Sequence, residues 1–224
     1  MAEFYFATIA LIGFAIPLFA LRMGREWLIA LLPIVLITGN VFAQAFVVVG
    51  GVMTSLAVPV YATTFLVTDL LAEHYGRRDA LRAVWVGFMG QLVFLGILLL
   101  VLRAPVLEEN AQAYSSALST VPRLVVGSFI AYLISQNLDV RIYDTIRHLT
   151  GGKKLWLRNN LSTMISQGID TVVFLFIAFW GVPPFADTES WVKFVLATWL
   201  FKIAVAAIDT PFLYLSRRIV RRSV

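Results

Sequence analysis

Tyr61-Ala-Thr-Thr-Phe65-Leu-Val-Thr-Asp69-Leu-Leu-Ala-Glu73-His-Tyr-Gly-Arg77-Arg78 is an apolar helical run that carries two carboxylates four residues apart and ends in a basic turn. Four residues are about one helical turn, so Asp69 and Glu73 share a face, which Phe65 and Tyr61 continue with some drift. Whether that face meets water, a protein core or a membrane cavity depends on the rest of the chain.

The chain has 224 residues, of which 60% are hydrophobic and only 14% are charged. A soluble domain of this length cannot hide that much apolar surface. Several runs near twenty residues are almost free of charge, the length that crosses about 30 Å of hydrocarbon as a helix. Their continuity, with no alternation, excludes a β-barrel. There is no cysteine, hence no disulfide framework and no thiolate chemistry. The net charge of +5 does not indicate nucleic acid, because the basic residues form no patch. They lie between the apolar runs.

The pattern predicts an all-α integral membrane protein of one domain, residues 1–224. Its helices are expected at about 3–21, 27–48, 54–74, 83–102, 120–138, 160–180 and 191–216. The connections alternate in charge. Arg22 and Arg25 follow the first span, and Gly50-Gly51 the second. Arg77, Arg78 and Arg82 follow the third, and Glu108 and Glu109 the fourth. The fifth is followed by Arg141, Arg147, Lys153, Lys154 and Arg158 in a 139–159 loop, and the sixth by Asp187 and Glu189. Arg217, Arg218, Arg221 and Arg222 close the chain. Every second connection is basic, which places the N-terminus outside and the C-terminus in the cytoplasm. The first span has Glu3 before it and its positive charges after it, the wrong order for a cleaved signal peptide.

Ionisable side chains at mid-membrane cost about 2.5–3.5 kcal/mol each on insertion scales. This chain has Asn40 and Gln44 in the second span, Asp69 and Glu73 in the third, and Gln91 in the fourth. The fifth begins at Arg123 and ends with Gln136 and Asp139. In the sixth, Thr163, Gln167, Asp170 and Phe174 share a face; the seventh carries Lys202 and Asp209. Asp170 and Lys202 are equidistant from the centre of the 181–190 loop, so they belong at one depth and adjacent helices can join them. Such a pair is either a structural ion pair or the charged wall of a binding cavity. Asn40 and Gln44 read equally as interhelical hydrogen bonds, Glu73 as a solvated end charge and Arg123 as a snorkelling cation. Taken together, so many polar groups point to a water-accessible cavity, with Phe, Tyr and Trp as stacking walls.

Other chemistry is missing from the sequence. His74 and His148 lie at span ends or loops, and there is no metal-ligand cluster and no cofactor motif. There is no nucleotide-binding loop, no serine in a nucleophile setting, no selectivity filter and no arginine sensor helix. Two classes remain: a transporter of a small polar planar solute, and a retinal-binding photoreceptor with a lysine in the seventh span. The photoreceptor fits poorly, since position 198 is a threonine where an aspartate precedes the lysine in such proteins.

Three runs resemble the bacterial queuosine-precursor transporter family, also called the vitamin-uptake-transporter family. They are Val58-Pro59 to Thr68-Asp69-Leu70-Leu71-Ala72-Glu73-His74-Tyr75-Gly76, then Arg123 to Tyr132 with Gln136-Asn-Leu-Asp139, then Ser162-Thr163 to Asp170-Thr171 with Phe176 to Trp180. The likeness continues through Leu200-Phe201-Lys202. It implies uptake of 7-deazaguanine precursors of the tRNA base queuosine across the inner membrane. It further implies a fold similar to the six-helix substrate-binding components of energy-coupling vitamin transporters, and no dedicated ATPase partner. The first span is then an addition to that unit. Another vitamin-like or nucleobase-like solute is the neighbouring alternative. The residues expected to bind solute are Asn40, Gln44, Asp69, Glu73, Gln91, Arg123, Gln136, Asp139, Gln167, Asp170 and Lys202.

Overall fold

The computed structural model describes residues 1–104, 112, 118–181 and 187–221, apart from the side chains of 206, 209, 220 and 221. Glu108, Glu109 and Arg222 lie outside the described residues, and so do the side chains of Asp209 and Arg221.

The chain opens with α1 (Ala2–Met23) and α2 (Arg25–Phe42). A hairpin of β1 (Phe46–Val49) and β2 (Val52–Ser55) follows. Then come α3 (Ala57–His74), α4 (Arg77–Val101), α5 (Val121–Leu149), α6 (Leu155–Phe179) and α7 (Thr188–Arg221). Of these helices, α1, α2, α4, α6 and α7 are long and apolar enough to cross a membrane. The surface is the inverse of a soluble protein's. Phe4, Phe19, Trp27, Ile34, Trp85, Met89 and Leu100 are exposed, while Asn40, Asp69, Gln91, Gln136, Asp139, Arg158, Gln167, Asp170 and Lys202 are buried. Apolar outside and polar inside is the arrangement that lipid, not water, selects. The molecule is a predominantly helical multi-pass membrane protein.

The centre is α3, which packs against α1, α2, α4, α5 and α7. Fourteen of its eighteen residues are buried, so it needs no lipid-facing stripe and tolerates threonines and acids. The main partner of α6 is α5, and α7 packs against it as well. Close approach is set by small residues: a Cβ on Gly90 would stand 2.6 Å from the Pro33 ring, and one on Gly87 2.8 Å from Leu36. Asp187 caps α7, accepting the Ser190 backbone N–H at 2.8 Å; that bond holds its carboxyl below the usual carboxylate range.

Three expectations need correction. The fold is not purely helical: 43–56 is not the end and start of two spans but a linker and a hairpin. Its turn is Gly50-Gly51, at φ 58° and 80°, a pair of left-handed positions that glycine fills without strain. The register pairs Val49 with Val52 and Phe46 with Ser55. The supposed 139–159 loop is mostly helix, with α5 continuing to Leu149 and α6 starting at Leu155. A fall in hydropathy marks where lipid ends, not where a helix ends. For the same reason α7 extends beyond 191–216 at both ends.

Candidate functional site

A narrow cavity of about 40 Å³ lies in the hairpin half of the bundle. Its roof is Phe46, whose ring stands edge-on to Phe179 (5.6 Å) and Phe194 (6.0 Å). Its walls are Tyr61 of α3, Ser128 of α5, Phe174 and Leu175 of α6, and Thr198 of α7. The Tyr61 and Phe174 rings are tilted at 6.3 Å. At the floor, Lys202 Nζ donates to Asp170 Oδ2 at 2.7 Å. The other oxygen, Oδ1, accepts from Ser135 Oγ at 3.0 Å. Both ionised side chains are nearly sealed from the exterior, Asp170 at 7% and Lys202 at 5% exposure.

A second layer holds the walls. The Tyr61 hydroxyl donates to Asn40 Oδ1 at 2.6 Å and also contacts Ser128 Oγ. Asn40 Nδ2 donates to Gln91 Oε1 at 3.3 Å. Three helices thus fix one phenol. Deeper, Gln136 Nε2 donates to Thr64 Oγ1 and Gln136 Oε1 accepts from Thr68 Oγ1, each at 3.1 Å. Among the described residues, several buried hydroxyls and amides have polar atoms left over, two of them close to the solute floor in sequence or space. Thr198 Oγ1 borders the cavity with no hydrogen-bond partner, and buried Gln167 has none for either amide atom.

The floor and walls offer distinct chemistry to a ligand. A carboxylate accepts from N–H donors, an ammonium donates to a carbonyl, and aromatic faces stack on a planar ring. A solute with an adjacent donor and acceptor can insert between Asp170 and Lys202 and satisfy both.

Of the eleven residues expected to bind solute, Asp170 and Lys202 line this cavity, and Asn40 and Gln91 support its wall. Gln136 and Gln167 are buried below it. Asp69 and Asp139 lie deeper, where Ser166 Oγ donates to Asp139 Oδ1 at 2.8 Å. Three residues are elsewhere. Gln44 is exposed and bound to Thr120 at 2.5 Å. Arg123 donates to the Ile177 and Trp180 carbonyls at 2.7 and 2.9 Å, where a cation complements the C-terminal end of α6. Glu73 anchors the basic end of the bundle: Arg158, Arg217 and Tyr143 all donate to its carboxylate. Phe46, Ser55 and Phe194 were not foreseen as cavity residues. The signal for the first two was Val-Val-Val-Gly-Gly-Val, a β-branched run around a two-glycine turn. Arg158 was read as a loop charge, yet it is 1% exposed.

A family model described as "Putative vitamin uptake transporter" matches residues 55–216, from the end of the hairpin into α7. A probable queuosine precursor transporter of Bacillus subtilis is 34% identical over 219 residues, 94% of this chain and 93% of that protein. The queuosine precursor transporter of Escherichia coli is 26% identical over 185 residues, covering 81% and 80% of the two chains. A probable queuosine precursor transporter of Haemophilus influenzae is 29% identical over 148 residues, 64% and 60%. No solved structure matches the chain. The match across most of the molecule, including every helix that lines the cavity, shows that the chain belongs to the vitamin uptake transporter family.

Proposed function

We propose that the protein imports 7-deazaguanine precursors of queuosine across the bacterial cytoplasmic membrane. The observation that carries this is the sealed Asp170–Lys202 pair at the foot of an aromatic cavity, in a chain whose relatives are named queuosine precursor transporters. A deazaguanine presents a donor-rich guanidine-like edge, a carbonyl next to it and a flat aromatic face. The reading puts the donor edge on Asp170, the carbonyl on Lys202 and the ring between Tyr61 and Phe174. Gln167 and Thr198, with unmatched polar atoms, supply further contacts, and Asn40, Gln91 and Gln136 hold the frame.

The reading takes all seven helices as spans of one domain, six forming the transport unit and α1 added before it. Two of them, α3 and α5, are screened from lipid or carry end charges, so apolar composition alone does not mark them. The hairpin lies outside and the basic ends inside, in agreement with the positive-inside rule. Import is then from the hairpin side toward the Glu73 cluster.

The test is uptake of labelled nitrile or aminomethyl precursor, or restored queuosine in tRNA, in cells blocked in precursor synthesis. Expression of the chain is expected to restore both, and Asp170→Ala is expected to abolish them. Normal uptake by Asp170→Ala would sink the site assignment. No uptake by the wild-type chain would sink the function.

A further inference from the structure

Two serine–aspartate bonds cross between α5 and α6. Ser135 of α5 donates to Asp170 of α6 at 3.0 Å, and Ser166 of α6 donates to Asp139 of α5 at 2.8 Å. On each helix the two residues are four apart, one turn. The solute floor and a second acid therefore sit one turn from each other on the same two helices. The second acid is not alone: α3 is tied to α5 by Thr64 and Thr68 at Gln136 and by Glu73 at Tyr143, which sets the Asp69 carboxyl between those ties, level with Asp139 and beside it. Asp69 is 1% and Asp139 0% exposed.

Two carboxyl groups set side by side can hydrogen-bond only by way of a proton: one O–H donates and the other group's oxygen accepts. In a site sealed from water, two adjacent carboxylates cannot both stay ionised. The neighbouring charges do not relieve them. On α6, Arg158 is committed to Glu73; on α7, Lys202 is committed to Asp170 and Arg217 to Glu73. Tyr143 of α5 donates to Glu73 at 3.0 Å. Ser162, one turn before Ser166 on α6, donates to the Asn159 carbonyl at 3.3 Å. The helices α1, α2 and α4 carry charged residues only within the first or last two turns. Among the described residues the buried Asp139 Oδ2 has no hydrogen-bond partner, which leaves that oxygen open to a proton.

From this geometry we infer that Asp69 and Asp139 form a proton-binding site and that the protein is a proton–solute symporter. Loading of the pair and loading of the floor are coupled through the crossed bonds: a shift of α5 against α6 that breaks one also breaks the other. On the far side, Tyr143, Glu73 and partly exposed Arg217 lead from the acid pair toward the basic end. The inference rests on the proposed function for the identity of the solute and not for the proton site itself.

The test uses the full chain in proteoliposomes with a trapped pH indicator and labelled nitrile precursor. Counterflow exchange without a pH gradient reports solute transport alone. With the lumen one pH unit more alkaline, symport of one proton per solute is expected to drive accumulation up to about tenfold, the ratio one pH unit supplies. A solute pulse is expected to acidify the lumen, and Asp139→Asn is expected to lose this signal. Counterflow with no lumen acidification and no response to the gradient overturns the symport and leaves the proposed function intact. Absence of counterflow overturns the proposed function. The proton site is then decided by infrared spectra of the purified protein at neutral pH. A protonated-carboxyl band that Asp69→Asn or Asp139→Asn removes is expected, and a wild type without such a band overturns the site.

Discussion

At the scale of single residues, the buried charges are held by partners from distant parts of the chain. Replacing one partner exposes the cost of the other. Lys202→Ala leaves the Asp170 carboxylate buried without its ammonium, and a loss of about 3–5 kcal/mol is expected on thermal unfolding in detergent. The Asp170→Asn, Lys202→Met double variant removes both charges and is expected to regain most of that stability while tracer uptake stays absent. Uptake by the double variant would show that the pair is only structural. Arg158→Ala is expected to cost as much, since the guanidinium bonds Glu73 and the Gly152 carbonyl and lies 5.3 Å from the centre of the Tyr143 ring. The first pair was legible in the sequence, because equal distances from one loop predict equal depth on adjacent helices. The second was not. Arg158 stands among basic residues in sequence, and its partner Glu73 is 85 positions away; charge counting reports a topology signal there and not a burial.

At the scale of elements, helix spacing and the hairpin shape the cavity. A Cβ on Gly39 of α2 would meet the Tyr61 ring at 2.7 Å. Gly39→Ala is therefore expected to push that ring toward the cavity, costing about 1–3 kcal/mol of stability and weakening solute binding in a scintillation proximity assay. Unchanged affinity would mean that the ring yields elsewhere. Gly51→Val forces a β-branched residue to φ 80° and is expected to unseat Phe46 from Phe179 and Phe194, whereas Gly50→Asn, tolerant of the left-handed region, is expected to be neutral. Binding affinity of the two variants checks this. The helices were legible because apolar length is a strong signal. The hairpin was masked by the same signal, since a short apolar β-branched run continues an apolar helix without a break in hydropathy.

At the scale of the molecule, the alternation of basic ends makes a sharp prediction. The chain has no cysteine, so single cysteines report position without further engineering. Gly50→Cys is expected to react with an impermeant maleimide in intact cells, and Arg218→Cys only after the membrane is opened. The reverse result would invert the topology.

The burial of α3 has a consequence for biogenesis. Its neighbours α4, α5 and α7 come later in the chain. When α3 leaves the ribosome, α1 and α2 are already made but the elements that cover its other sides are not, and it carries Asp69 and Glu73 within its apolar run. It must stay at the translocation channel or lean on α2 until those partners arrive. In a glycosylation-mapping assay, α3 alone in a host protein is expected to insert poorly, and α3 followed by α4 to insert well; equal insertion of the two would contradict this. The helix that carries Asp69 is thus expected to depend, for its own entry, on segments translated after it.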